Sequence, residues 1–322
     1  VTVFEARETV GGRMATRMKD GLAFDIGADH LCDLYGDIKE YAREFGLVFE
    51  PMCFSNYGFF RNGRVIPLDA AVSWTSRAKL LWSQRGARRV KNFFDLSNAA
   101  AFDTETGDTY ARQHMNNEIA DYLVDCFTST YQFHRSKEIS SGALIAILES
   151  FRYDGDGWKL HQLRGGMSTL PEALAKRVTV KTATPVTHVI TEDGGVILST
   201  KDGSERYDAA VLACTATVSA KIFLNPTQAQ HELLASTTYA SSISVAFRVK
   251  TSDLPPQSVV WVPFVESSKI SGYTNQTMKG GPFVKDGESL LCTWLHEEYA
   301  KSLLEKTDDT IFVETKEELL RV

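Results

Sequence analysis

Five residues at the start constrain this chain more than any others: Val1-Thr2-Val3-Phe4-Glu5, an apolar strand closed by an acid. In a dinucleotide-binding β-α-β unit the second strand ends in such a carboxylate, which accepts hydrogen bonds from ribose hydroxyls. A glycine pair follows shortly after, Gly11-Gly12-Arg13. Paired glycines let the backbone approach a pyrophosphate closely, and an arginine neutralises it. The glycine fingerprint of such a unit belongs roughly 20 residues before the acid. No G-x-G-x-x-G occurs in the chain, and Glu314–Val322 still has helical spacing where the sequence stops. Both ends are therefore expected to be cuts in a longer protein.

The chain has 322 residues, which predicts two domains at about 100–200 residues each. Lys and Arg number 35 against 41 Asp and Glu, a net charge of −6, so nucleic acid is not an expected partner. No apolar run reaches the roughly 18–20 residues that span a bilayer. Cys32, Cys53, Cys126, Cys214 and Cys292 are scattered, odd in number and without a C-x-x-C pair. They predict reduced thiols in a cytoplasmic setting rather than a disulfide framework or a zinc site. The seven histidines show no metal-binding spacing. A G-x-S-x-G elbow and a phosphate loop are likewise missing from the sequence, so metal, hydrolase and triphosphatase chemistry are set aside.

Along the chain, a loop is expected from Arg7 to Asp20, a strand at Leu22–Ile26 and a helix from Tyr35 to Phe45 closed by Gly46. Phe54–Arg61 and Arg64–Pro67 predict a hairpin about Asn62-Gly63. Ala70 to Phe151 is mostly helical in spacing. Beyond it come a strand at Trp158–Leu163 and a short helix at Met167–Arg177. Strands are expected at Val178–Val180, Pro185–Ile190, Val196–Thr200 and Tyr207–Cys214. Helices are expected at Pro226–Ser236 and Glu297–Glu305, with strands at Ser242–Lys250, Val259–Val262, Ile270–Thr274 and Ser289–Trp294 between them.

Glu5-Ala6-Arg7, Gly11-Gly12-Arg13 and Phe24-Asp25-Ile26-Gly27-Ala28 together resemble the segment after the Rossmann strand in the flavin-containing amine oxidase superfamily. That group includes monoamine oxidases, protoporphyrinogen oxidases and phytoene-desaturase-like enzymes. Arg164-Gly165-Gly166-Met167-Ser168-Thr169-Leu170-Pro171 resembles the element that opens its second flavin-binding section. Pro185-Val186-Thr187-His188-Val189, Gly195-Val196 and Tyr207–Cys214 resemble its following meander and returning strand. The resemblance implies FAD as cofactor. It assigns Glu5, with Ala6 and Arg7, to the ribose end, Arg13 to the pyrophosphate, and Val186 to the adenine by backbone contact. Gly11, Gly12, Gly27 and Ala28 would admit the cofactor, Gly27 beneath the flavin ring.

Amine oxidases of this group place a lysine near the flavin on a strand matching Tyr239–Val249. That stretch has no lysine, and Ser244 takes the position. The helical block, with Glu105–Thr109, Ile119–Phe127 and Ser140–Ala143, resembles instead the substrate and membrane-facing block of the protoporphyrinogen oxidase and desaturase branch. Between Ala70 and Phe94 lie six basic residues, Arg77, Lys79, Arg85, Arg88, Arg89 and Lys91, and no acid. Trp74, Ala78, Leu81 and Trp82 share one helical face, extended by Phe93-Phe94. Such a face suits either an anionic membrane surface or packing on its own domain.

The expected fold is α/β: a Rossmann-like FAD domain of residues 1–56 and 164–240, interleaved with a sheet-plus-helix substrate domain of residues 57–163 and 241–322. The resemblance implies an FAD-dependent oxidoreductase that takes hydride from an apolar conjugated small molecule, protoporphyrinogen- or carotenoid-like. A flavin amine oxidase and a non-catalytic, flavin-less fragment are the alternatives. His30 follows the flavin-side glycine without an assigned catalytic role.

Overall fold

The computed structural model describes residues 1–32, 35–53, 56–83, 90, 95–150 and 159–322. Its opening strand, Thr2–Phe4, pairs in parallel with Thr179–Lys181, Thr2 opposite Thr179. A parallel pair needs a long crossover, and here most of the first half of the chain intervenes. The antiparallel meander of His188–Glu192, Gly195–Thr200 and Gly203–Tyr207 follows. Its first strand starts at His188 rather than Pro185, since proline brings no N–H to a ladder.

The expected strand Tyr207–Cys214 does not form. Only Tyr207 belongs to a strand, and Val211 is 91% exposed. Among the described residues no strand lies alongside 208–214, so the segment has no ladder to join. A correction of the opposite kind falls in the expected loop of Arg7–Asp20. Met14–Lys19 is a strand paired with Leu22–Gly27. Asp20 and Gly21 turn between them with φ of 53° and 81°; Asp-Gly is a favoured two-residue hairpin pair.

The largest sheet runs in the order Ser244–Lys250, Glu288–Leu295, Ile270–Asn275, Val259–Trp261, Tyr57–Arg61, Arg64–Pro67, with Val284–Lys285 beside Glu288–Leu295. All its pairs are antiparallel except Val259–Trp261 with Tyr57–Arg61. Asn62 and Gly63 both have positive φ, as a type I′ hairpin requires. Phe54 and Trp158, expected strand starts, lie outside the described residues. Ile270–Asn275 is buried at all six positions, so both its faces are covered. The helices Asp125–Tyr131 and Asp308–Leu319 both pack against it.

The helical block comprises Trp74–Ser83, Gly107–His114, a run from Asn117 to Tyr131 with a π-turn at Ala120–Val124, and Ser141–Ser150. Thr106 and Asn116 cap two of these, their side-chain oxygens accepting the Thr109 and Ile119 N–H groups. The core of the block is Tyr110, Ile119, Val124, Leu144 and Ile145. Asp125, buried, is held by the Arg135 guanidinium at 2.9 Å and by the Ser136 N–H and hydroxyl. Among the described residues no helix is long and apolar enough to cross a membrane.

Candidate functional site

The site is built on the hairpin of Met14–Lys19 and Leu22–Gly27. Thr16 stands directly opposite Asp25 in its register, so the two side chains meet on one face. The Thr16 hydroxyl donates to Asp25 Oδ1 at 2.5 Å. The same oxygen accepts the Met167 N–H at 3.1 Å, and the Ser168 N–H donates to Thr16 Oγ1 at 3.1 Å. The Gly165-Gly166-Met167-Ser168 turn is thereby fastened to the hairpin through one carboxylate.

A third segment enters from far along the chain. Lys279 ends the 3₁₀ turn Gln276–Lys279, which Asn275 caps by accepting the Thr277 N–H. Its Nζ lies 2.7 Å from Asp25 Oδ2 and 2.6 Å from Asp29 Oδ1, and it sits over the Phe283 ring. The side chains of Lys279 and Asp25 are completely buried, and that of Asp29 is 15% exposed. Burial by itself pushes the Asp29 carboxyl up, but Lys279 and then His30 overcome it and hold the group well below the usual carboxylate range. Burial works against the Lys279 charge too, yet Asp29 and Asp25 keep its ammonium above the ordinary lysine value. Nearby Cys292 is buried, and burial raises its thiol far above the thiolate range. Asp29 Oδ2 is buried without a hydrogen-bond partner among the described residues, 3.8 Å from His30 Nδ1.

Above this charged floor runs a strip of bare backbone. The Ala28 N–H donates to the Arg13 carbonyl at 2.7 Å, which lays residues 11–13 beside 27–28. Gly12 has φ +54°, and a Cβ there would meet nothing within 4 Å; Gly27 has φ +92°, and its Cβ would stand 2.1 Å from the Arg13 carbonyl oxygen. Gly27 is thus glycine because its own neighbour's backbone crosses there, whereas Gly12 opens to free space. Arg13 is exposed and has no ion pair among the described residues.

At the other end, Glu5 closes the first strand. Its N–H donates to the Lys181 carbonyl, its Oε1 accepts the Arg7 N–H at 2.8 Å, and its carbonyl accepts the Thr184 N–H. The Ala183 N–H donates to the Arg7 carbonyl. These bonds bring Glu5, Ala6 and Arg7 against the turn that leads to Val186. The sequence-derived site residues therefore fall in two groups, 5–7 beside the turn 183–184 that precedes Val186, and 11–13 beside 27–28. Their donor set fits a dinucleotide: an oriented carboxylate, a free guanidinium and an uncovered glycine turn.

Beyond the charged floor the helical block encloses an apolar cavity of about 370 Å³, lined by residues that include Leu68, Val72, Leu144, Ile147, Phe127 and Trp261. Aromatic contacts link it to the floor: Trp261 to Tyr131 at 5.6 Å between centroids, and Tyr131 to His30 at 6.4 Å. Ser244, at the position matching the amine-oxidase lysine, is exposed at a strand start. The buried lysine is Lys279, which no spacing rule in the sequence singled out; the one available hint was Asp25, an acid inside an apolar strand. Elsewhere, ligand atoms of His134, Glu138 and Glu297 fall within 4.8 Å of one another. Glu297 is already bound to Lys301 and Glu138 to the Arg135 N–H.

The sequence profile of the flavin containing amine oxidoreductase family matches residues 1–321, and the chain belongs to that family. Among curated relatives, protoporphyrinogen oxidase 2, chloroplastic/mitochondrial, of Arabidopsis thaliana is 26% identical over 144 residues, 39% of this chain and 27% of that protein. The mitochondrial protoporphyrinogen oxidase of Nicotiana tabacum is 26% identical over 146 residues, 40% of this chain and 27% of that protein. The chain thus matches about a quarter of the length of these relatives. Among solved structures, putrescine oxidase bound to putrescine superposes with a TM-score of 0.75 at 16% identity, over 96% of this chain and 72% of that one. A protein of Exiguobacterium sp. 255-15, provisionally assigned as a protoporphyrinogen oxidase, gives 0.76 at 17% identity, over 99% and 76%. These likenesses establish the fold, mixed helix and sheet, which the sequence pattern predicted.

Proposed function

We propose that this chain serves an FAD-dependent oxidoreductase that removes hydride from an apolar conjugated small molecule, of protoporphyrinogen or carotenoid type. The observation that carries the substrate class is the 370 Å³ cavity with its apolar lining, whose Trp261 is joined to the charged floor by ring contacts through Tyr131 and His30. Residues 1–56 and 164–240 would serve the cofactor, and 57–163 and 241–322 the substrate. Glu5 would hold the ribose, with Ala6, Arg7 and the Val186 backbone at the adenine end. Arg13 would pair with the pyrophosphate, and the strip of Gly11, Gly12, Gly27 and Ala28 would admit the cofactor, Gly12 by the open space beside it and Gly27 by letting the Arg13 backbone lie close. Bound FAD supplies the hydride acceptor. The aliphatic lining offers shape and dispersion rather than hydrogen bonds, and excludes water. Trp261 and Phe127 in the lining would add aromatic contact with a conjugated system. Lys279 is locked between two carboxylates and Cys292 is a protonated thiol, so neither is free as a base. Catalysis then rests on placement.

Amine oxidation is the second reading, supported by the family itself and by the superposition on putrescine oxidase bound to putrescine. Reconstitution with FAD is the first test: a yellow protein with a flavin spectrum is expected, and a chain that stays colourless favours the non-catalytic alternative. Turnover of a reduced tetrapyrrole or polyene supports the main reading. Amine turnover with peroxide release, and none of the conjugated substrate, replaces it with the second.

Contact with an anionic membrane is part of the same proposal. On the Trp74–Ser83 helix, Trp74 is 78%, Leu81 67% and Trp82 71% exposed, which leaves an apolar face available to a headgroup layer. Arg77 and Lys79 flank it; Arg85, Arg88, Arg89, Lys91, Phe93 and Phe94 lie outside the described residues. Trp with basic residues suits a headgroup layer. The cavity is partly lined by this helix, through Arg77 and Leu80, which would let an apolar substrate pass from the bilayer. Such a protein would be cytoplasmic and peripheral. It should co-sediment with anionic vesicles more than with neutral ones, and lose that preference when Trp74, Leu81 and Trp82 become Ser; equal, negligible binding to both vesicles removes the membrane reading.

A further inference from the structure

We infer that Lys279 is a positioning residue: from the far end of the chain it neutralises Asp25 and Asp29 and thereby holds in place the two backbone turns, 11–13 and 165–168, that would carry the flavin. This rests on the FAD reading for its cofactor arm alone. The argument starts from donors. The Lys279 ammonium has three N–H groups, and it faces two carboxylates and one ring, Asp25, Asp29 and Phe283, with no exposure to water. Its charge is therefore committed inside the protein. Asp25 in turn spends Oδ2 on Lys279 and Oδ1 on the Thr16 hydroxyl and the Met167 N–H. Thr16 passes the constraint on to the Ser168 N–H.

The turn bearing Lys279 is itself fixed at both sides. The Cys53 N–H donates to the Met278 carbonyl, and the Gln162 side-chain amide donates to the Lys279 carbonyl. Thus segments 53, 162–168, 16–29 and 276–279 meet at one ion cluster. Removing the lysine leaves two carboxylates buried side by side without a cation, the arrangement that breaks a buried ion pair most severely. The hairpin and the glycine turns then lose their common anchor.

Three variants test this on the whole chain: Lys279→Met, Asp25→Asn and the double variant. Hydrogen exchange is expected to speed up at least tenfold at Met167 and Ser168 in Lys279→Met, beyond any change at the remote strand His188–Glu192. The groups facing Lys279 are Asp25 and Asp29 on the hairpin and its following loop, His30 beside them and Cys292 from Glu288–Leu295. Without the lysine the two carboxyls hold protons more tightly folded than unfolded, so Lys279→Met should lose thermal stability as pH rises from 5 to 8, while the parent does not. The double variant, with one carboxylate left, should recover stability at pH 8 relative to Lys279→Met even if that single variant accumulates poorly. An FAD titration followed by flavin fluorescence should show at least tenfold weaker binding for Lys279→Met. Unchanged exchange at Met167 and Ser168, a flat pH profile, or a double variant no more stable than Lys279→Met overturns the inference. A parent chain that takes up no FAD overturns the cofactor reading instead, and the exchange and pH measurements still decide the role of Lys279.

Discussion

The two glycines of the bare strip are glycine for different reasons, and substituting each by alanine separates them. At Gly27 the Cβ would lie 2.1 Å from the Arg13 carbonyl oxygen and 2.8 Å from its carbon, all of it backbone that cannot swing aside. The left-handed φ adds about 1–2 kcal/mol for a residue with a side chain. The clash must also break the 2.7 Å bond from the Ala28 N–H, about 1 kcal/mol more. Gly27→Ala should therefore cost about 2–3 kcal/mol. At Gly12 φ is +54° but no atom lies within 4 Å of the added methyl, so Gly12→Ala pays only the conformational penalty, about 1 kcal/mol. In a chain of this size that is a melting shift of roughly 2 °C. If a dinucleotide lies against Gly12, the same methyl occupies its space, and FAD affinity should fall by about tenfold, or about 1.4 kcal/mol. Differential scanning fluorimetry and a fluorescence titration with FAD read the two quantities. Gly12→Ala with parental FAD affinity, or Gly27→Ala with parental stability, refutes the reasoning.

Two further outcomes are expected. Leu148→Trp adds bulk inside the apolar cavity; it should change stability by no more than about 1 kcal/mol because the space exists, yet cut binding of a polyene probe at least fivefold in a fluorescence assay, and unchanged binding removes the cavity from the substrate path. His296 is 1% exposed, neither ring nitrogen has a hydrogen-bond partner among the described residues, and burial followed by Arg135 pushes its pKa down to about 4. The neutral ring is favoured folded, so this contribution is intact above the unfolded value of about 6.5 and is lost as pH falls toward 4, on the order of 3 kcal/mol. His296→Leu should flatten the melting-temperature slope across that window; an identical slope sinks the assignment.

Several local elements were legible because their signals are local. A strand ending before Glu5, a glycine pair before Arg13 and the Asn62-Gly63 turn each have a signal within a few residues, and the structure shows the first as a strand and the other two as turns. The Asp20-Gly21 turn carried an equally local signal, which identifies Met14–Lys19 as a strand. The segment 208–214 shows the limit of such reading. Its apolar run satisfies a strand pattern, but a strand exists only with a partner, and that is a property of the arrangement.

Alternating apolar residues, turn dipeptides and the family motif, all contained in the order of amino acids, determined the class of fold and the family. The tertiary structure alone decided that Lys279 closes on Asp25 and Asp29, that Trp74, Leu81 and Trp82 are largely exposed, and that a cavity opens beside the helical block. Charge pairing, exposure and empty volume depend on how separate segments come together, Lys279 and Asp25 across 254 residues, and no local rule of helix period, strand alternation or turn chemistry supplies that.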